Sequence, residues 1–239
     1  MAARKRPKVF SKDVSQHPAL LRRWKGWLPE LCRDMTDLLG KREIFWELQA
    51  VARENPKILQ QGSFFDWMCR NYIVAVTVGI RSFVDQSTNS RSLWRMLFEV
   101  LQHPGVINRK THVRMYRTTS IGDDLGHITF NGVVGKYRDR LPQDEVRRDL
   151  RRLEDVSSMV RRFVNKRIAH RAKPGALRRI PKFNDVDAAL DVLDQILCKY
   201  NLLLRAEGTS SMHATRQYDW REVLWEPWIL KGSTLRPEV

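Results

Sequence analysis

The stretch Arg161-Arg162-Phe163-Val164-Asn165-Lys166-Arg167-Ile168-Ala169-His170-Arg171 puts a histidine, an asparagine and several cations within three helical turns. Such a set has the parts for metal-free chemistry on an RNA phosphate. That chemistry needs a base for the ribose 2′-hydroxyl, an acid for the leaving oxygen and cations for the charged phosphorane. A histidine, with an ordinary pKa of about 6.5, serves as base or acid. Lys166 and Arg162 would contact the phosphate, and Asn165 would orient the imidazole or a phosphate oxygen. On an α-helix successive residues turn by about 100°. Arg162, Lys166 and His170 therefore form one stripe along the border of the core face, with Arg167 on its other side. His170 lies close to the helix C-terminus, where the backbone dipole favours imidazolium. One helix rarely carries every group, so two copies across a dimer axis are the natural arrangement. A lone histidine near a helix end, however, more often caps or packs than catalyses.

The charge of the chain points to the same place. There are 43 Lys+Arg against 27 Asp+Glu, a formal +16. Residues 136–182 hold 16 Lys or Arg against 6 Asp or Glu, so ten of those sixteen net charges fall within 47 residues. A local cluster of this kind fits a polyanion-binding face better than a generally soluble surface, and nucleic acid is the commonest polyanion partner. Arg161, Arg162, Arg167 and Arg171 are the candidate RNA-binding cations. Cys32, Cys69 and Cys198 form no C-x-x-C pair and read as reduced, mostly buried thiols of a cytoplasmic protein. His17, His103, His112, His127 and His213 have no partner at a recognised ligand spacing, so no metal and no cofactor is expected. The longest apolar run, Tyr72 to Ile80, is about half a bilayer span, so no membrane association is expected.

These residues must be carried by helices. Leu20, Leu21, Trp24, Trp27, Leu28, Leu31, Met35 and Leu38 recur at helical spacing to Gly40, with Pro29 expected to kink or split the run. A second helix is predicted over about Arg42 to Arg53. A third, from a Ser63 cap to about Asp85, is apolar over most of its circumference and reads as the most buried. Arg81 and Asp85, one turn apart, read first as an intrahelical ion pair and second as support for a nearby site. Ser92 opens a short helix over Leu93 to His103. From Val106 to Leu141, Ile128-Thr129-Phe130-Asn131-Gly132-Val133-Val134 carries a hairpin signal, but a short helix or a structured loop fits equally. The basic stretch ends a helix from Pro142 to about Ala172, followed by a last one over about Val186 to Leu204. The tail, with Trp220, Trp225 and Trp228, is too apolar to be free and should pack on the bundle or on a second subunit. The expected organisation is a flexible basic arm over 1–17, an all-α antiparallel bundle of five to six main helices over 18–205 with an insertion at about 106–141, and a Trp-rich tail over 206–239.

The run Asn165-Lys166-Arg167-Ile168-Ala169-His170-Arg171, on the penultimate long helix of a basic helical chain, resembles the HEPN superfamily. It is most similar to the AbiU-like abortive-infection branch, whose members carry a similar N-K-x-x-A-H run. Ser92-Leu93-Trp94-Arg95-Met96-Leu97 and the Trp220 to Trp228 tail are similar to that branch too. The resemblance covers about Leu20 to Trp228. It implies an antiparallel helical bundle, usually a homodimer, and for many members a metal-independent endoribonuclease that leaves a cyclic phosphate. Toxins and antiphage effectors are frequent among them, with an antitoxin protein as a partner. In the superfamily's Arg–polar–His signature the polar residue matches Asn165 and the histidine His170. The arginine position falls on Val164, leaving Arg162, Lys166 or Arg81 of another helix to supply the cation. The resemblance therefore implies either an RNA-cleaving protein or a degenerate module that binds nucleic acid or a protein partner without cleavage.

Overall fold

The computed structural model describes residues 17–59, 64–117, 121–170, 173, 175, 177, 179–229, 231, 233 and 234. Residues 1–16 of the expected basic arm, the expected Ser63 cap, Arg171 and Ala172 lie outside these residues, while His17 already belongs to the first helix. The fold is all-α, with no strand among the described residues. In order it has α1 (His17–Glu54), a 3-10 turn (Pro56–Leu59), α2 (Phe64–Phe83), α3 (Leu93–Gln102), α4 (Arg109–Arg114), α5 (Gly122–Val134), α6 (Gln143–Phe163), a π-wound segment (Val164–Ile168), α7 (Phe183–Arg205) and α8 (Glu222–Trp225).

Two helices were expected where α1 is one helix of 38 residues, passing through both Pro29 and Gly40. A proline inside a helix leaves the carbonyl four residues earlier without its donor. Here that carbonyl, on Lys25, accepts from Arg205 Nη1 at 3.4 Å. The Gly40 carbonyl likewise accepts from Arg216 Nη2 at 3.0 Å. Trp24, Leu28, Leu31, Met35, Leu38, Leu39 and Phe45 are buried on one continuous face, so tertiary packing holds the helix through both residues.

The centre of the bundle is α7 rather than α2. It packs against α1, α2, α5 and α6 and buries Leu190, Leu193, Ile196, Leu197, Tyr200 and Leu204. The inner face of α2 buries Phe65, Tyr72, Val76, Ile80 and Phe83, but Trp67, Val74 and Val78 stay exposed on its outer face. The residues of the hairpin signal are helical. Ile128 to Val134 lies within α5, which pairs closely with α4. Gly126 permits that approach, since a Cβ there would meet the Val113 Cα at 2.8 Å. Buried His112 joins this pair to α7 by donating from Nδ1 to the Leu203 carbonyl at 3.1 Å, with Nε2 on the Thr129 hydroxyl at 2.9 Å.

Buried carboxylates tie helices together and are all matched by donors. Glu99 on α3 accepts from Trp24 Nε1 of α1 at 2.8 Å and from Arg95 at 3.1 Å. Asp149 on α6 accepts from Lys199 at 2.8 Å and the Tyr200 hydroxyl at 3.1 Å, both on α7. Asp194 on α7 anchors the tail, accepting from the Ser211 hydroxyl at 2.6 Å and the Met212 N–H at 2.8 Å. The tail then follows α1, where Trp220 Nε1 donates to Glu47 at 2.6 Å, and the Trp228 ring meets Phe64 of α2 edge-on at 5.6 Å.

Candidate phosphate-binding site

The site is built at the C-terminal end of α6. Val146, Leu150, Leu153 and Val160 form the buried face that fixes this helix against its neighbours. Pro142 precedes it, and Asp144 and Glu145 in its first turn suit the positive end of its dipole. Its other side carries exposed Arg147, Arg148, Arg151 and Arg152. After Phe163 the winding changes. The Ala169 N–H donates to the Val164 carbonyl, five residues back, at 2.8 Å. Such π-turns are rare and are concentrated at functional sites. The continuous α-helical stripe of Arg162, Lys166 and His170 expected from the sequence is therefore interrupted between its first and last members.

Val164 is 2% exposed and belongs to the core. The signature's arginine position thus points inward, where a guanidinium would have no water and no counter-charge. The next residue, Asn165, faces outward. Its Oδ1 accepts from Arg81 Nε of α2 at 3.1 Å, and Arg81 Nη1 donates in turn to Asp85 at 3.1 Å. Asp85 also accepts from the Ser87 backbone N–H at 3.0 Å. That backbone hydrogen bond, with Arg81 beside it, holds the Asp85 carboxyl below its ordinary pKa. It is therefore charged and able to orient the guanidinium.

Arg161, Arg162, Asn165 and Lys166 line a single cleft of about 440 Å³ with Ser158, Met159 and Arg179. Four cations converge there without a lining carboxylate. Arg179 comes from the connection between α6 and α7 and is partly drawn to Asp185 at 3.5 Å. Arg167 and His170 are exposed beyond the rim and do not line the cleft. Arg171 lies outside the described residues. Sequence reading passed over Arg179, although it stands in the basic run, and gave Arg81 only a secondary role. Nothing in local spacing joins Arg81 to Asn165, 84 residues away. Two apolar clefts of about 280 and 620 Å³ lie elsewhere, along α1 and α2 and beneath the Trp-rich tail. Among the described residues no group of three His, Cys, Asp or Glu is placed to hold a metal ion, and no helix is long and apolar enough to cross a membrane.

An all-helical bundle with an asparagine and a histidine five residues apart at the end of its penultimate long helix has the architecture of a HEPN domain. Residues 22–223 match the AbiU2 family of HEPN domains, and the chain belongs to that family, an abortive-infection branch of the superfamily. No curated protein and no solved structure matches it.

Proposed function

We propose that this chain is an RNA-binding protein of a toxin or antiphage defence system, and that the cleft at the end of α6 is its RNA-binding face. The observation that carries this reading is the convergence of Arg161, Arg162, Lys166 and Arg179 around Asn165. Clustered guanidinium groups suit phosphate oxygens, which they contact through paired N–H donors. Arg167 extends the basic surface beyond the rim, and Arg171 follows it in the sequence.

Metal-independent cleavage of the bound RNA is the second reading, favoured by the π-turn. An α-helical turn would leave residues five apart about 140° from one another. The π-turn closes Ala169 onto Val164, the residues just before His170 and Asn165, and so changes the facing that an α-helix would give that pair. His170 would then act as general acid or base beside a phosphate held by Lys166 and Arg162, with Asn165 orienting. Each subunit offers this site one histidine, so acid and base together call for a homodimer. An antitoxin protein that covers the basic face would complete such a system.

The test is incubation of the purified protein with total RNA and tRNA in EDTA, beside the His170→Ala variant. Wild type should bind RNA with an affinity that falls steeply with salt and should cleave it, while the variant should bind without cleaving. Cleavage that survives in the variant, or binding without cleavage by either protein, would remove the assigned mechanism and leave the binding reading. Absence of salt-dependent RNA binding by wild type would overturn both.

A further inference from the structure

Resting on the reading of the α6 cleft as a phosphate site, we infer that Arg81 of α2 supplies the phosphate-binding guanidinium that Val164 cannot, and that Asp85 positions it. Three observations converge on this pair. First, the local motif has no arginine where one is expected, because Val164 is buried in the core. Secondly, Arg81 Nε meets Oδ1 of Asn165, a side chain that lines the cleft, at 3.1 Å. Thirdly, the guanidinium is only partly used by the protein. Of its five N–H donors, one goes to Asn165 and one to Asp85. The remaining donors meet no acceptor among the described residues, and the Arg81 side chain is 37% exposed. A guanidinium held on one side by Asn165 and on the other by Asp85, with its remaining N–H donors open, is set for a contact to a phosphate oxygen.

The arrangement differs from the ordinary surface pair of a helix. An exposed i,i+4 Arg–Asp pair has no third partner and adds a few tenths of a kcal/mol to its helix. Here the pair bridges to another helix and fixes the one amide of the motif. Asn165 is left with its amide N–H donors for the substrate, because its oxygen is occupied by Arg81. The carboxylate of Asp85 sits on the far side of the guanidinium from Asn165 and keeps it from swinging into solvent. Arg81 is thus assigned a contact with substrate, whereas Asp85 acts only through Arg81.

The experiment measures binding of a fluorescent single-stranded oligoribonucleotide over a series of salt concentrations. Wild type, Arg162→Ala, Arg81→Ala and Arg81→Lys are compared, with folding followed by circular dichroism. Each lost phosphate contact should lower the slope of log affinity against log salt by about 0.7. Arg81→Ala should show that loss and weaker binding, and Arg81→Lys should recover the slope because it keeps a point charge. If Arg81→Ala does not fold, Arg81→Gln, which keeps a donor for Asn165 without the charge, replaces it. A wild-type slope for the Arg81 variants beside a reduced slope for Arg162→Ala would sink the assignment of Arg81 while leaving the cleft intact. Unchanged slopes in all of them would instead remove the cleft as the RNA site. Asp85→Asn is then measured in wild-type and Arg81→Ala backgrounds. Its effect on affinity should vanish in the second, since it acts through the missing group. An equal effect in both backgrounds, or none in either, overturns the positioning role.

Discussion

Single residues decide how this site departs from a simple motif. Val164 is committed to the core, so the helix can offer only its neighbours to solvent, and the cation that meets Asn165 is Arg81 of another helix. A different residue, His112, couples stability to pH. Burial is the largest influence holding its pKa below the ordinary 6.5, with Arg109 and Lys25 adding to it. The unfolded chain therefore binds a proton that the folded chain resists. The stability this neutral histidine contributes is fully present above about pH 6.5, and it is lost as pH falls through that value toward the lower folded pKa. Urea midpoints should drop between pH 7.5 and pH 5.5, and the drop should shrink in His112→Gln. An equal drop in the variant would mean that other groups carry the pH dependence.

At the scale of elements, two glycines on facing helices separate open surface from close packing. Gly26 on α1 has nothing within 4 Å of an added Cβ, whereas one on Gly79 of α2 would meet the buried Leu38 side chain at 2.5 Å. Gly26→Ala should stabilise the protein by about 0.5–1 kcal/mol through helix propensity. Gly79→Ala should cost about 1–3 kcal/mol by forcing Leu38 out of its place between α1 and α2. Denaturant titration of both variants checks the contrast, and a stabilising Gly79→Ala would show that α2 can shift freely. The same scale explains what was legible in the sequence. Apolar spacing gave α3 and α7 nearly at their bounds and the start of α6, because their buried faces repeat regularly, but not the end of α6, whose α-helical winding stops at Phe163 rather than near Ala172. It failed at Pro29 because the donor that rescues the Lys25 carbonyl, on Arg205, lies far away in sequence, and at Gly40 because the packing and the Arg216 contact that hold the helix there are tertiary. It left α5 open because Asn131-Gly132 is a turn signal only where strands flank it. Asn165, Lys166 and Arg162 were readable as a group, but Arg81 and Arg179 join them only through tertiary packing.

The whole molecule is closed by its tail as much as by its core. Ser211 and Met212 donate to the buried Asp194 carboxylate, beside the longer contact from Cys198 Sγ within α7. Removing residues 206–239 should strip that carboxylate of its two stronger donors and destabilise the bundle by on the order of 3 kcal/mol. Thermal unfolding of the truncated chain measures this. An Asp194→Asn substitution should recover part of the loss in the truncated chain, because a neutral amide is cheaper to bury than an unpaired charge. No recovery would mean that the Trp-rich segment stabilises by other contacts.

The packing of α1 against α7 also sets the order of events during synthesis. The first helix cannot bury Trp24, Leu28 and Leu31 against its final partner until Arg205 has left the ribosomal exit tunnel. Both α6 and the cations it carries are translated before that closure. Interrupted translation would release an unfinished bundle rather than a working one, so the supply of complete chains depends on the health of the machinery that makes them.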